Sequence, residues 1–183
     1  MNRLTQLLVL IFIALGIHPA VQAQNTCEAD ALPSEAKSLI NKKFPDWRLK
    51  RISDLEDYDR ELWIKAHPNE CPGMAAGRFE LPNQIAYCLL LIPKSGAEAS
   101  YKIVVLSGST IDHYSVRVLD HADGPGADSG LVISKVPPGE YSGFDSTQSI
   151  KTKLDAIEAE WLEKSSVLYF WKNGVYRTLQ TSD

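Results

Sequence analysis

The sequence contains no Cys-x-x-Cys, no His-Glu-x-x-His and no Gly-x-Ser-x-Gly. The first two absences remove the common zinc and redox frameworks, and the third removes the nucleophile elbow of the α/β-hydrolases. Histidine is sparse. Beyond the first 23 residues only His67, His113 and His121 occur. His67 and Cys71 are four apart, but Pro68 and Pro72 break any helix that would set them on one face. No metal and no cofactor are therefore expected. No basic stripe crosses the chain, so nucleic acid is not an expected partner. Nor does any polybasic or basic amphipathic segment offer a hold on an anionic membrane. Internal repeats and low-complexity tracts are also lacking.

The N-terminus carries an address. Arg3 is its only early charge, Leu7 to Ile17 is almost wholly apolar, and Val21-Gln-Ala23 supplies small residues before Gln24. This pattern predicts a signal peptide over residues 1–23, cleaved after Ala23, and hence a periplasmic or secreted protein. The apolar stretch falls short of the roughly 18 residues a spanning helix needs, so no membrane is expected after cleavage. Cleavage removes one positive charge from a formal net charge of −4. The remainder, residues 24–183, is long enough for a single domain with a real core. Three cysteines follow, an odd number in a compartment that permits disulfides. Cys27 and Cys71 stand in polar surroundings and are expected to pair. Cys88 lies inside an apolar run and reads as a small core residue.

Alternation and turn signals divide the rest. Ala36, Leu39, Ile40 and Phe44 recur at helical spacing behind Ser34 as N-cap, and Pro45 ends the pattern. Trp47 and Leu49 suggest a short edge strand. Leu55, Tyr58 and Leu62 predict a second helix over 54–66. From Gly77 the signals turn to β. Ile85 to Ile92 and Tyr101 to Ser107 are apolar runs bounded by Pro and Gly, which fits buried central strands. Further strands are predicted at 113–119 and 131–136, with irregular loops at 120–130 and 141–149. Residues 156–162 fit a strand, with a helix over 150–164 as the alternative. Ser166 to Leu179 reads as a hairpin turning at Asn173-Gly174. The expected fold is α+β, a mainly antiparallel sheet of about six to eight strands with two N-terminal helices on one face.

Two stretches carry a resemblance. Ala76-Gly-Arg-Phe followed by Ile-Ala-Tyr-Cys-Leu-Leu-Leu-Ile resembles the strand–loop–strand of FG-GAP or VCBS-type extracellular repeats. Tyr-Phe-Trp-Lys-Asn-Gly-Val-Tyr resembles the aromatic hairpin that closes small exported bacterial proteins. The FG-GAP likeness implies an acidic calcium loop between its strands. Here that connection is Glu80-Leu-Pro-Asn-Gln84, without alternating Asp and Asn oxygens, so neither a calcium site nor a propeller is expected.

Catalytic sets are drawn only loosely. Ser107-Gly-Ser109 at a strand end, with Asp112-His113 and Asp120-His121, echoes a serine nucleophile and its bases. Glu158, Glu160 and Glu163 offer paired carboxylates, with Glu158 and Glu160 on one face of a strand, where the plain alternative is a solvated sheet face. Aromatic residues are the clearer enrichment. Trp161, Tyr169, Trp171 and Tyr176 cluster near the C-terminus. If Leu168 and Phe170 face the core, then Tyr169 and Trp171 face a partner, with Tyr176 beside them; the plain alternative, favoured by composition, is that these aromatics only pack the core. The reading that follows is an exported, non-enzymatic binding protein, an inhibitor or immunity-type partner of another exported protein. The alternatives are a small periplasmic hydrolase of cell-wall or glycan material and a structural subunit of an envelope complex.

Overall fold

A computed structural model of the chain describes residue 27 and residues 32–95, 100–108 and 113–183. The expected signal peptide and its cleavage point lie outside the described residues, as do Ser109 and Asp112. Among the described residues no helix is long and apolar enough to cross a membrane.

Two antiparallel sheets face one another. In the first, β3 (Ala86–Pro93), β4 (Ser100–Gly108) and β5 (Tyr114–Asp123) lie in that order. The outer edge of β3 is shared between β1 (Trp47–Leu49), on Leu91 to Pro93, and β2 (Met74–Gly77), on Ala86 to Leu89. The second sheet has the order β6 (Leu131–Val136), β9 (Ala156–Trp161), β10 (Ser165–Lys172), β11 (Val175–Ser182). A separate two-stranded ribbon joins β7 (Glu140–Ser142) to β8 (Ser149–Lys151).

The long apolar runs end up where such runs belong, in strands covered on both faces. Cys88, Leu90, Ile103 and Val105 point from the first sheet into the inter-sheet core, where they meet Leu131, Ile133, Ile157 and Tyr169. Leu89, Leu91, Val104 and Leu106 point the other way, under Ala36 and Ile40 of α1 (Ser34–Lys43). Glu35 in the first turn and Lys42 and Lys43 in the last suit the macrodipole of that helix. Ser34 is its first helical residue rather than the cap; Pro33 holds the cap position without a side-chain bond. The second helix, α2 (Asp57–Ala66), starts later than residue 54, because Ile52–Asp54 closes a 3-10 turn. There Asp54 accepts the Arg51 N–H at 2.7 Å and both arms of the Arg48 guanidinium.

The helices do not share a face, contrary to the pattern-based expectation. Trp63 of α2, 1% exposed, packs with Leu55 on Val132, on the outer face of the second sheet. The layers are therefore helix, sheet, sheet, helix-and-ribbon. The single sheet of six to eight strands is replaced by eleven strands in three sheets among the described residues. The additions include the short β2, β7 and β8, too brief to show a period of their own. The 120–130 loop starts later than predicted, since β5 runs on to Asp123 past a register shift opposite Ile103 and Val104. The 141–149 loop is the β7–β8 ribbon, whose Tyr141 and Ile150 cover Phe170, Leu168 and Leu179. Residues 156–161 are strand, not helix. The Asn173-Gly174 turn forms as predicted, with φ of 53° and 80°, the left-handed pair that favours Gly and Asn.

One short segment clasps the two sheets. Cys71 is disulfide-bonded to Cys27, with 4.9 Å between the Cα atoms, and Cys88 is free and buried. The Pro72 carbonyl accepts the Ile133 N–H of the second sheet at 2.8 Å, and the Gly73 carbonyl accepts the Leu90 N–H of the first at 2.8 Å. Gly73 lies so close to β1 that a Cβ there would fall 2.2 Å from the Lys50 carbonyl oxygen, so glycine is required. Lys50 itself is 1% exposed and donates from Nζ to the Asp128 carbonyl. Burial holds its pKa below the ordinary lysine value, against the raising charges of Asp128, Asp54 and Asp59.

Candidate functional site

The registers fix two ends of the sandwich. One end carries the 78–85 connection, the entry to β9 and the Asn173-Gly174 turn. The other carries the 124–130 connection, the β9–β10 turn and the start of α2.

At the first end, Trp171 and Tyr176 are cross-strand partners, ring centroids 5.0 Å apart in an edge-to-face pair. The Arg117 guanidinium of β5 lies 5.4 Å from the Trp171 centroid, a cation–π distance. Arg117 also pairs with Glu80 at 3.2 Å, which ties the 78–85 connection to both sheets. Glu80 is largely buried, its side chain 10% exposed. The Tyr176 hydroxyl is buried and makes no hydrogen bond of good geometry. Burial first, then the Glu80 charge, raise its pKa. Leu81, Ile85 and Val175 are exposed at this end. Trp171 and Tyr176 are half-buried, so each shows part of a ring to solvent. Anchored aromatics with a stacked arginine and exposed aliphatics are what partner-binding surfaces are made of.

Tyr169 belongs elsewhere. It is 5% exposed, in the inter-sheet core, and its hydroxyl donates to Asp120 at 2.9 Å; Tyr101 donates to the same oxygen at 3.0 Å. Burial, then the Asp120 charge, push both tyrosines well above the usual phenol range. Leu168 and Phe170 are also buried, beneath the ribbon. Both faces of β10 are covered, so the alternation that split Tyr169 and Trp171 from Leu168 and Phe170 separates two cores rather than a core from a surface. Trp161 is likewise half-buried, edge-on to Tyr101 and donating to the Ala127 carbonyl at 3.3 Å.

Among the described residues the catalytic sets do not assemble. Ser107 is 8% exposed and its hydroxyl meets Ser115 Oγ at 2.9 Å, not a histidine. Asp120 spends one carboxylate oxygen on two tyrosines and the other on the His121 backbone N–H. His113 and His121 are exposed. Glu163 sits in the β9–β10 turn, off the strand, and accepts from Tyr58 at 2.8 Å. Glu158 and Glu160 do share the outer face of β9, but that face is not open sheet. Both are half-buried. Burial, then the Glu160 charge, raise the Glu158 pKa, against the lowering pull of His67, which stacks on Trp63 at 4.2 Å. Among the described residues no three His, Cys, Asp or Glu groups are placed to hold a metal ion.

Arg117 and Glu80 had no sequence signal. They lie 37 residues apart and pair at the end of the first sheet, and the packing of the second sheet on the first brings Arg117 to the Trp171 indole. No protein-family model, no curated protein and no solved structure matches the chain.

Proposed function

We propose that this chain is an exported, non-enzymatic binding protein that docks another exported protein through the Trp171–Tyr176 end of the sandwich. The carrying observation is the half-exposed Trp171 ring, held between Tyr176 and Arg117 and bordered by exposed aliphatic side chains. A tryptophan fixed on a rigid hairpin loses little conformational freedom on binding. The disulfide fits an oxidising compartment, and the signal pattern and the likeness of the β2–β3 hairpin to extracellular repeats point the same way. An inhibitor or immunity role matches a small scaffold whose polar clusters are engaged in its own packing. Affinity capture from an envelope extract, read by mass spectrometry, tests this. A partner retained by the native chain and lost by Trp171→Ala supports it; equal retention by both refutes the assigned surface.

A second reading rests on Glu158. A half-buried carboxylic acid with a raised pKa, between α2 and the ribbon and near His67, suits a general acid in a small hydrolase of cell-wall or glycan material. Clearing of a peptidoglycan suspension by the native chain and not by Glu158→Gln would favour it.

A further inference from the structure

The two ends of the sandwich differ in charge. Around the Trp171 hairpin, Arg78, Lys153, Lys172 and Arg177 are all exposed, and none forms an ion pair with a described residue. The carboxylates at this end are already engaged. Glu80 faces Arg117, and Asp155 accepts the Arg78 backbone N–H at 2.8 Å. The opposite end is acidic. Asp57, Asp59, Asp123, Asp128 and Glu163 gather there, on the start of α2, the end of β5 and the turns beside them, offset only in part by Arg60, which pairs with Asp57 at 3.2 Å, and by Lys164. A chain of net negative charge thus shows unpaired cations around the half-exposed Trp171 hairpin.

We propose that the surface docked by Trp171 is an acidic protein surface bearing an apolar anchor. The inference rests on the docking reading above and adds the chemistry of the partner. Trp171 supplies the apolar anchor, with the exposed Leu81 at the same end, and Arg78 and Lys153 supply a charged rim that continues to Lys172 and Arg177 on the other face of the hairpin, beside the exposed Val175. Such rims act mainly on association rate and partner choice, because long side chains in water gain little from each pair. The field reaches about 10 Å at 0.1 M salt, so the attraction weakens with ionic strength. The acidic end repels the same partner, and the two ends together orient the encounter.

The test uses the mature full-length chain and a synthetic peptide of alternating Glu and Asp around a central Leu-Tyr pair. A matched peptide with Lys at every acidic position is the control. Backbone amide shifts are expected at Arg78, Arg117, Lys172, Val175 and Arg177, with affinity falling steeply as salt rises and no binding of the Lys peptide. The double variant Lys172→Glu, Arg177→Glu, at exposed strand positions, keeps its fold and weakens binding about tenfold or more. The inference is overturned by an absence of shifts, by shifts confined to the Asp57–Asp123 end, or by salt-independent binding. Equal binding to phosphatidylglycerol vesicles overturns it in favour of an anionic lipid surface. Salt-sensitive self-association without the peptide overturns it in favour of a second copy, whose acidic end would fill the role. If the charge variant binds an envelope partner as the native chain does while Trp171→Ala does not, the acidic partner falls and the docking end stands. If Trp171→Ala also binds that partner fully, both fall.

Discussion

Around Cys71–Gly73 the chain spends its polar groups on itself. Two successive carbonyls hold two different sheets, Gly73 admits β1 to van der Waals contact, and even the buried Lys50 ammonium has a carbonyl to bond. Around Trp171–Tyr176 the reverse holds. Aromatic rings are half-covered, one hydroxyl is buried without a good partner, and the flanking cations are unpaired. Both places join the first sheet to the second. The clasp does so with backbone bonds that bury their partners, and the hairpin end does so with side chains that leave surface over. A site that binds something else must hold back some of its interactions, and only the second does.

The largest effects should come from breaking the clasp. Cys71→Ser opens a loop with a sequence separation of 44 and should cost about 4 kcal/mol in the chain-entropy model. Gly73→Ala forces a methyl into the Lys50 carbonyl and should cost about 3 kcal/mol. Urea melts of the oxidised proteins measure both. A loss under about 1 kcal/mol in each would mean that the two sheets do not depend on this segment.

The second effect separates the aromatic neighbours. Tyr169→Ala removes a buried ring and a bond to a carboxylate and should cost about 3–5 kcal/mol. Trp171→Ala, at a half-exposed ring, should cost about 1 kcal/mol. Thermal melts of the pair decide. Equal losses would make Trp171 a core residue and blur the contrast between clasp and hairpin end.

These neighbours also show what was legible in the sequence. The apolar runs of β3 and β4, the Asn173-Gly174 hairpin and the Cys27–Cys71 pair were readable, because each is set by local pattern or by the small number of choices. The second core over β10 was not. Tyr141 and Ile150 cover Phe170 from a stretch with no periodicity of its own, so Phe170 and Tyr169 end in separate cores on opposite faces of β10. The helix placement failed for a related reason. The face read from Leu55, Tyr58 and Leu62 was also wrong, since Tyr58 is 58% exposed and Trp63 is the buried residue, and nothing local says which sheet receives the helix. Arg117 and Glu80 became site residues only through the sandwich itself.

A third, smaller effect is alkaline. Tyr101, Tyr169 and Tyr176 all have folded pKa values above the unfolded value of about 10, chiefly through burial. A group raised on folding contributes stability that is complete below its unfolded pKa and is lost as pH rises through the folded one. Stability should therefore fall above about pH 10. Tyr169→Phe, which removes one such group, should flatten that fall. Denaturant midpoints from pH 9 upward, in steps, check the slope. An unchanged slope in Tyr169→Phe would show that this hydroxyl does not titrate with unfolding.

The central claim is that contact with a partner is made at the hairpin end and not at the acidic end. Val175 and Tyr58 are well-matched reporters, 44% and 58% exposed at opposite ends. A photo-crosslinking residue placed at each in turn, in cells that export the chain, samples the two ends under identical conditions. The account predicts a discrete higher-mass adduct from position 175 and none from position 58. An adduct from position 58 alone, or none from either, would contradict it.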